Sequence, residues 1–88
     1  MSSLATELLP QAMDVVCTED ELQVSLSDGR KISVPIVWFP RLAHASVSNL
    51  ARYELLGGGA GIHWPELDED ISVAGLLAGR PSFEYRAG

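Results

Sequence analysis

The sequence predicts a small α+β domain: a small antiparallel sheet, made of a three-stranded meander plus a Gly-rich hairpin, packed with two or three short helices. Three observations carry that expectation. Three segments before residue 37 alternate apolar and polar side chains at period two, the mark of half-buried strands. The period then changes to short helical stretches with caps. Beyond them Gly57-Gly58-Gly59-Ala60-Gly61 separates two further apolar segments, and glycine between paired strands marks bends and close backbone approach. At 88 residues the chain is one domain (1–88), with its core over about 13–79 and flanking segments at 1–12 and 80–88.

The first strand is expected over Met13 to Thr18, with Met13, Val15 and Cys17 on one face. The second runs from Glu21 to Ser27 with Leu22, Val24 and Leu26 inward, and the third from Arg30 to Ile36 with Ile32, Val34 and Ile36 inward. Asp28-Gly29 between alternating runs is a strong hairpin signal, because Gly29 can take the positive φ that such a turn requires. Pro40 suits the first turn of a helix, with Leu42, Ala43 and Ala45 continuing it. Ser46 is then a new N-cap, with Val47, Leu50 and Ala51 behind it to about Arg52. Ile71 to Gly79 reads as the last helix, capped by Ser72 or Asp70, with the acids Asp68, Glu69 and Asp70 near the positive end of its dipole. Phe83 and Tyr85, two apart in the tail, suit an added edge strand or a contact with a second subunit.

Composition excludes several classes. Six Lys+Arg against twelve Asp+Glu give a charge of −6, whereas nucleic-acid affinity rests on clustered cations; no direct nucleic-acid binding is expected. No apolar run reaches the ~20 residues of a membrane helix, and Met1 to Pro10 lacks the basic start of a signal peptide. No membrane association and a cytoplasmic location are therefore expected. Cys17 is the only cysteine, so neither an intrachain disulfide nor a thiolate zinc cluster can form. The 47 % apolar content is high for so small a domain, and part of it is expected to be covered by a partner.

The sharpest constellation is His63-Trp64-Pro65 followed by Asp68, Glu69 and Asp70. An imidazole and carboxylates this close are donor types for a divalent metal or for proton transfer. A second account is structural: His63 hydrogen-bonded at a strand end, Trp64 in the core, and the acids capping the helix. Spacing alone does not separate the two, since no second histidine lies nearby. The glycine run lacks the Gly-Lys-Ser/Thr and following helix of a phosphate loop, and no serine sits in a nucleophile elbow. No catalytic residue, metal or cofactor is expected. Trp38, with its neighbour Phe39, is divided between core and interface, the place where tryptophan dominates binding energy.

Together, Leu22-x-Val24-x-Leu26-x-Asp28-Gly29, Trp38-Phe39-Pro40-Arg41-Leu42 with Ala45, and Tyr53-Glu54-Leu55 followed by Gly61-Ile62-His63-Trp64-Pro65-x-Leu67-Asp68-Glu69-Asp70-Ile71-Ser72-Val73 carry a resemblance. From about Val15 to Leu77 the chain resembles the DUF2442 family, small bacterial domains of unknown function. The resemblance implies an α+β fold and brings no reaction, cofactor or catalytic residues. Some relatives look like one half of toxin–antitoxin pairs, and some carry an added helix-turn-helix, which nothing after Gly79 matches here. The expected function is that of a non-enzymatic protein-interaction module, antitoxin-like, forming a homodimer and meeting a basic protein partner. The alternative is a small metal- or ligand-binding domain using the His63 to Asp70 turn. The candidate binding residues are Trp38, Arg41, His63, Trp64, Asp68 and Asp70.

Overall fold

The computed structural model describes residues 9–86. Two three-stranded antiparallel meanders make the framework. The first comprises β1 (Ala12–Cys17), β2 (Glu21–Leu26) and β3 (Lys31–Pro35). A 3₁₀ turn (Ile36–Trp38) and two single-turn helices, α1 (Pro40–Ala43) and α2 (Val47–Leu50), lead to the second sheet of β4 (Glu54–Leu56), β5 (Gly61–Trp64) and β6 (Glu69–Ser72). Helix α3 (Val73–Leu77) follows β6 directly.

The first meander forms for the expected reasons. Leu22 and Val24 are completely buried and Leu26 nearly so. Thr18 Oγ1 accepts from the backbone N–H groups of Asp20 (3.2 Å) and Glu21 (2.9 Å) and closes the first turn. Gly29, at φ 95°, closes the second, where Asp28 Oδ1 accepts from Arg30 N at 3.0 Å. The face assigned to β1 needs one correction. The register slips between Ala12 and Asp14, so two residues of β1 oppose one of β2 and the extra residue turns outward. Met13 is consequently exposed and Ala12 takes the core position, while Val15 stays inside.

Pro40 occupies the first turn of α1, and Ser46 caps α2 by accepting from Asn49 N at 3.2 Å. The glycine-rich hairpin proves to be part of a larger sheet, because residues 69–72 pair with β5. That pairing corrects the last helix: Ile71 is a strand residue, Asp70 caps nothing, and the acids lie on a turn and a strand. Only Ser72 caps α3, accepting from Gly75 N at 2.9 Å. The helix ends in a Schellman arrangement, Arg80 N donating to Gly75 O and Gly79 N to Leu76 O, each at 3.0 Å.

The core joins both sheets: Ile62 and Trp64 of β5 pack with Leu22 and Val24 of β2 and with Leu42 of α1. Trp64 Nε1 donates to Leu50 O at 3.1 Å, which satisfies the one polar atom of a buried indole. Where the sheets meet, Ala12 N donates to Gly59 O at 2.7 Å. Among the described residues the tail adds no edge strand; Ser82 N instead donates to Trp38 O at 3.0 Å, and Phe83 is left almost wholly exposed. No helix of the described residues is long and apolar enough to cross a membrane.

Candidate functional site

Strand alternation sorts the residues of the second sheet onto two faces. On β5, Ile62 and Trp64 point inward and His63 outward; on β6, Glu69 and Ile71 point inward and Asp70 outward. His63 lies opposite Asp70 on one side and Glu54 on the other. Its Nδ1 hydrogen-bonds to Asp70 Oδ1. A carboxylate accepts, so Nδ1 carries the proton and Nε2 is the basic nitrogen of the neutral ring. Among the described residues no three His, Cys, Asp or Glu side chains converge as a metal requires. The pair pins a strand register and orients one imidazole.

A second cluster is built around Arg41 on α1. Its Nη1 donates to Asp68 O at 2.7 Å, while Nε and Nη2 grip Glu84 at 3.1 Å on each oxygen. Asp68 has a φ of 53°, a region that costs a non-glycine residue about 1–2 kcal/mol. The guanidinium thus holds the β5–β6 turn in its strained shape and clamps the tail onto it. The planar fork matches this task, since one side chain satisfies a carbonyl and a carboxylate in fixed directions.

Glu69 sits beside this clamp and differs from it. It is nine-tenths buried, at 9 % exposure, yet Oε1 comes no nearer than 4.0 Å to Arg41 Nε, whose hydrogen bonds go to Glu84. Among the described residues no hydrogen bond reaches the Glu69 carboxylate. Among the described residues no buried side-chain oxygen is sealed from solvent without a partner, so this carboxylate opens onto the cleft it lines. Burial pushes its pKa above the ordinary glutamate value; Arg41 pulls the other way, and Glu84, Asp70 and Asp68 add to the rise. The cleft, of about 520 Å³, runs between β6, α3 and the tail, with Phe39, Ile71 and Leu76 on its wall and Phe83 at its lip. The acidic residues Asp68, Glu69, Asp70 and Glu84 and the arginines Arg41 and Arg80 line it, the Asp70 carboxylate being turned to His63 on the outer face of the sheet.

The six candidate residues therefore divide. Arg41 and Asp68 meet at the clamp, and His63 and Asp70 pair on the outer face of the sheet. Trp64 is core, and Trp38 is half-buried against the core with its carbonyl holding the tail. Sequence reasoning places Glu69 in the His63 constellation but not among the candidate binding residues, and it misses Glu84 altogether. The signal for Glu69 was period two: read as a strand, residues 69–72 put Glu69 and Ile71 on the face of Trp64. Glu84 lies 43 residues from Arg41 and had no local signal. Cys17, half-buried, has its thiol pushed up to about 11 by burial, which makes it a poor nucleophile at neutral pH.

The family model for DUF2442, described as a protein of unknown function, matches residues 12–82. A protein of unknown function from Rhodospirillum rubrum, known from a crystal structure, is 32 % identical, with 88 % of this chain and 95 % of that one covered and a TM-score of 0.72. The solution structure of an uncharacterized protein from Chromobacterium violaceum aligns at 24 % identity, over 92 % of this chain and 75 % of that one, also with a TM-score of 0.72. That second likeness is one of fold alone. No curated protein matches the chain.

Proposed function

Because this chain belongs to the DUF2442 family, whose function is unknown, no inherited reaction constrains its role, and we propose that it is a non-enzymatic protein-interaction module for a basic partner. The observation that carries this reading is the cleft beside the Arg41 clamp, where Asp68, Glu69 and Glu84 stand against Arg41 and Arg80 and Phe83 is 89 % exposed at the lip. Carboxylates around an exposed aromatic suit a cationic protein surface, since charge steers the encounter and the aromatic supplies buried area. The non-enzymatic part is supported by the separation of the reactive groups. His63 and Asp70 sit on a sheet face, and the 520 Å³ cleft is lined by Asp70 but not by His63.

The finer form of the role is antitoxin-like: neutralising a basic protein encoded beside it, as the family resemblance implies, with a homodimer as the acting unit. Further exposed apolar residues, Met13, Val16, Val37 and Val47, offer area for self-association. Co-expression with the products of the adjacent genes, followed by size-exclusion chromatography with light scattering, tests both parts. A complex with a basic neighbour and a dimeric free chain are expected. A strictly monomeric chain with no partner overturns the reading.

A further inference from the structure

The acidic surplus of the cleft is not spread evenly. Glu84 is satisfied by the Arg41 fork, the Asp68 side chain is almost fully exposed at 3.6 Å from Arg41 Nη1, and Asp70 is engaged by His63. Glu69 is the exception, nine-tenths buried and without a hydrogen bond among the described residues. That carboxylate meets solvent only through the cleft and burial raises its pKa, so a cation that enters and donates to it relieves the partial desolvation of its charge. Phe39, Ile71 and Leu76 line the same cleft but are at most 6 % exposed, so the apolar surface open to a ligand is Phe83 at the lip. It fits a cation carried on a methylene stem, which lays the stem along apolar surface and delivers the charge at its end.

We infer that the Glu69 cleft is a lysine-acceptor pocket, in which the ammonium of a lysine side chain from a basic protein segment donates to Glu69 and its stem packs on Phe83. An ammonium is the better-sized cation: Arg41 already lies 4.0 Å from Glu69 Oε1, and a compact point charge can meet the carboxylate without laying a second planar fork against that guanidinium. A peptide-borne amine fits better than a free one, because the exposed Phe83 at the lip offers apolar area that residues flanking the lysine can cover. This inference rests on the interaction reading and names the contact by which a basic partner is held.

The probe is end-blocked tetralysine, titrated into the ¹⁵N-labelled full chain at low salt. Amide shifts at Glu69, Ile71 and Leu76 are expected, and Glu69→Gln should weaken binding at least tenfold. Glu19→Gln, in the β1–β2 turn, should leave it unchanged. Equal binding by wild type and E69Q, or an equal loss in E19Q, overturns the assignment and leaves only diffuse acidic attraction. A ¹³C titration of the Glu69 carboxyl is independent of any variant's folding: its midpoint should fall when tetralysine is present, and an unmoved midpoint overturns the assignment. Putrescine binding as tightly as tetralysine overturns the peptide source. A basic partner held equally by wild type and E69Q overturns the pocket while the interaction reading stands; tetralysine on Glu69 with no protein partner supports the pocket while that reading falls.

Discussion

The two sheets have the same topology and different tolerance of unfavourable chemistry. In the first, β1 to β3, the inward side chains are apolar, the turns are closed by Thr18 and Gly29, and the polar residues face water. In the second, β4 to β6, a carboxylate points inward beside an indole, Asp68 holds a positive φ, and Gly59 is pressed against the neighbouring strand. Local rules agree with one another in the first sheet apart from the bulge at Met13 and are broken several times in the second. Places where a fold departs from its own rules are where function is expected, and the candidate cleft lies against the second sheet.

The sharpest way to break this comparison is through the core that both sheets share. Trp64 is completely buried and Leu22 likewise. Trp64→Ala is expected to cost about 3–5 kcal/mol, and Leu22→Ala about 2–5 kcal/mol, measured by urea unfolding. W64A also leaves Leu50 O without its donor. A W64A protein as stable as wild type would show that the second sheet contributes little to the core.

Glycine gives a second contrast. A Cβ at Gly29 meets nothing within 4 Å, although φ is +95°. A Cβ at Gly59, φ +114°, falls 2.6 Å from Ala12 O. Gly29→Ala should cost only the backbone term of about 1–2 kcal/mol. Gly59→Ala adds a backbone clash at the junction of the sheets, worth a further 1–3 kcal/mol or about that. Equal costs would mean that the junction at Ala12 yields easily.

These contrasts also explain what was legible. The first meander was readable because one face is buried, which forces period two onto Leu22-x-Val24-x-Leu26, and because Asp28-Gly29 names its own turn. The final strand was not, because Asp70-Ile71-Ser72-Val73 carries a cap and an apolar stripe that suit a helix equally well. Pairing with β5, a tertiary event, decides it as far as Ser72. The bulge at Met13 and the clamp from Arg41 to Glu84 depend on contacts between segments distant in sequence, and no local pattern encodes them. The pairing of His63 with Asp70 was half legible: the residues were singled out, but only strand register puts them opposite each other.

Arg41 tests whether the strained turn depends on the clamp. Arg41→Lys keeps the charge but cannot bind Glu84 through two nitrogens while donating to Asp68 O. It should therefore resemble Arg41→Ala, with faster amide hydrogen exchange at Arg80, Ser82, Glu84 and Tyr85 and little change in β1–β3. Wild-type exchange in R41K would assign the clamp to charge alone rather than to the planar fork.

The smallest effect separates the sheets by sign. In the first, the backbone N–H of Arg30, with its side chain, holds Asp28 below the ordinary aspartate value. In the second, burial holds Glu69 above the ordinary glutamate value. A lowered acid contributes stability above its unfolded value and loses it as pH falls through the lowered one. A raised acid does the reverse: its contribution is complete below the unfolded value and is lost as pH rises through the raised one. The gap between wild type and Asp28→Asn should thus shrink as the solution is acidified below the ordinary aspartate range. Glu69→Gln should gain on wild type as pH rises from the ordinary glutamate value through the raised one, and be the more stable protein at neutral pH. Thermal unfolding of both variants across that range reads the two slopes. If E69Q instead loses stability at neutral pH, the Glu69 carboxylate is held by the fold itself, and the second sheet carries no unmet charge for a partner to satisfy.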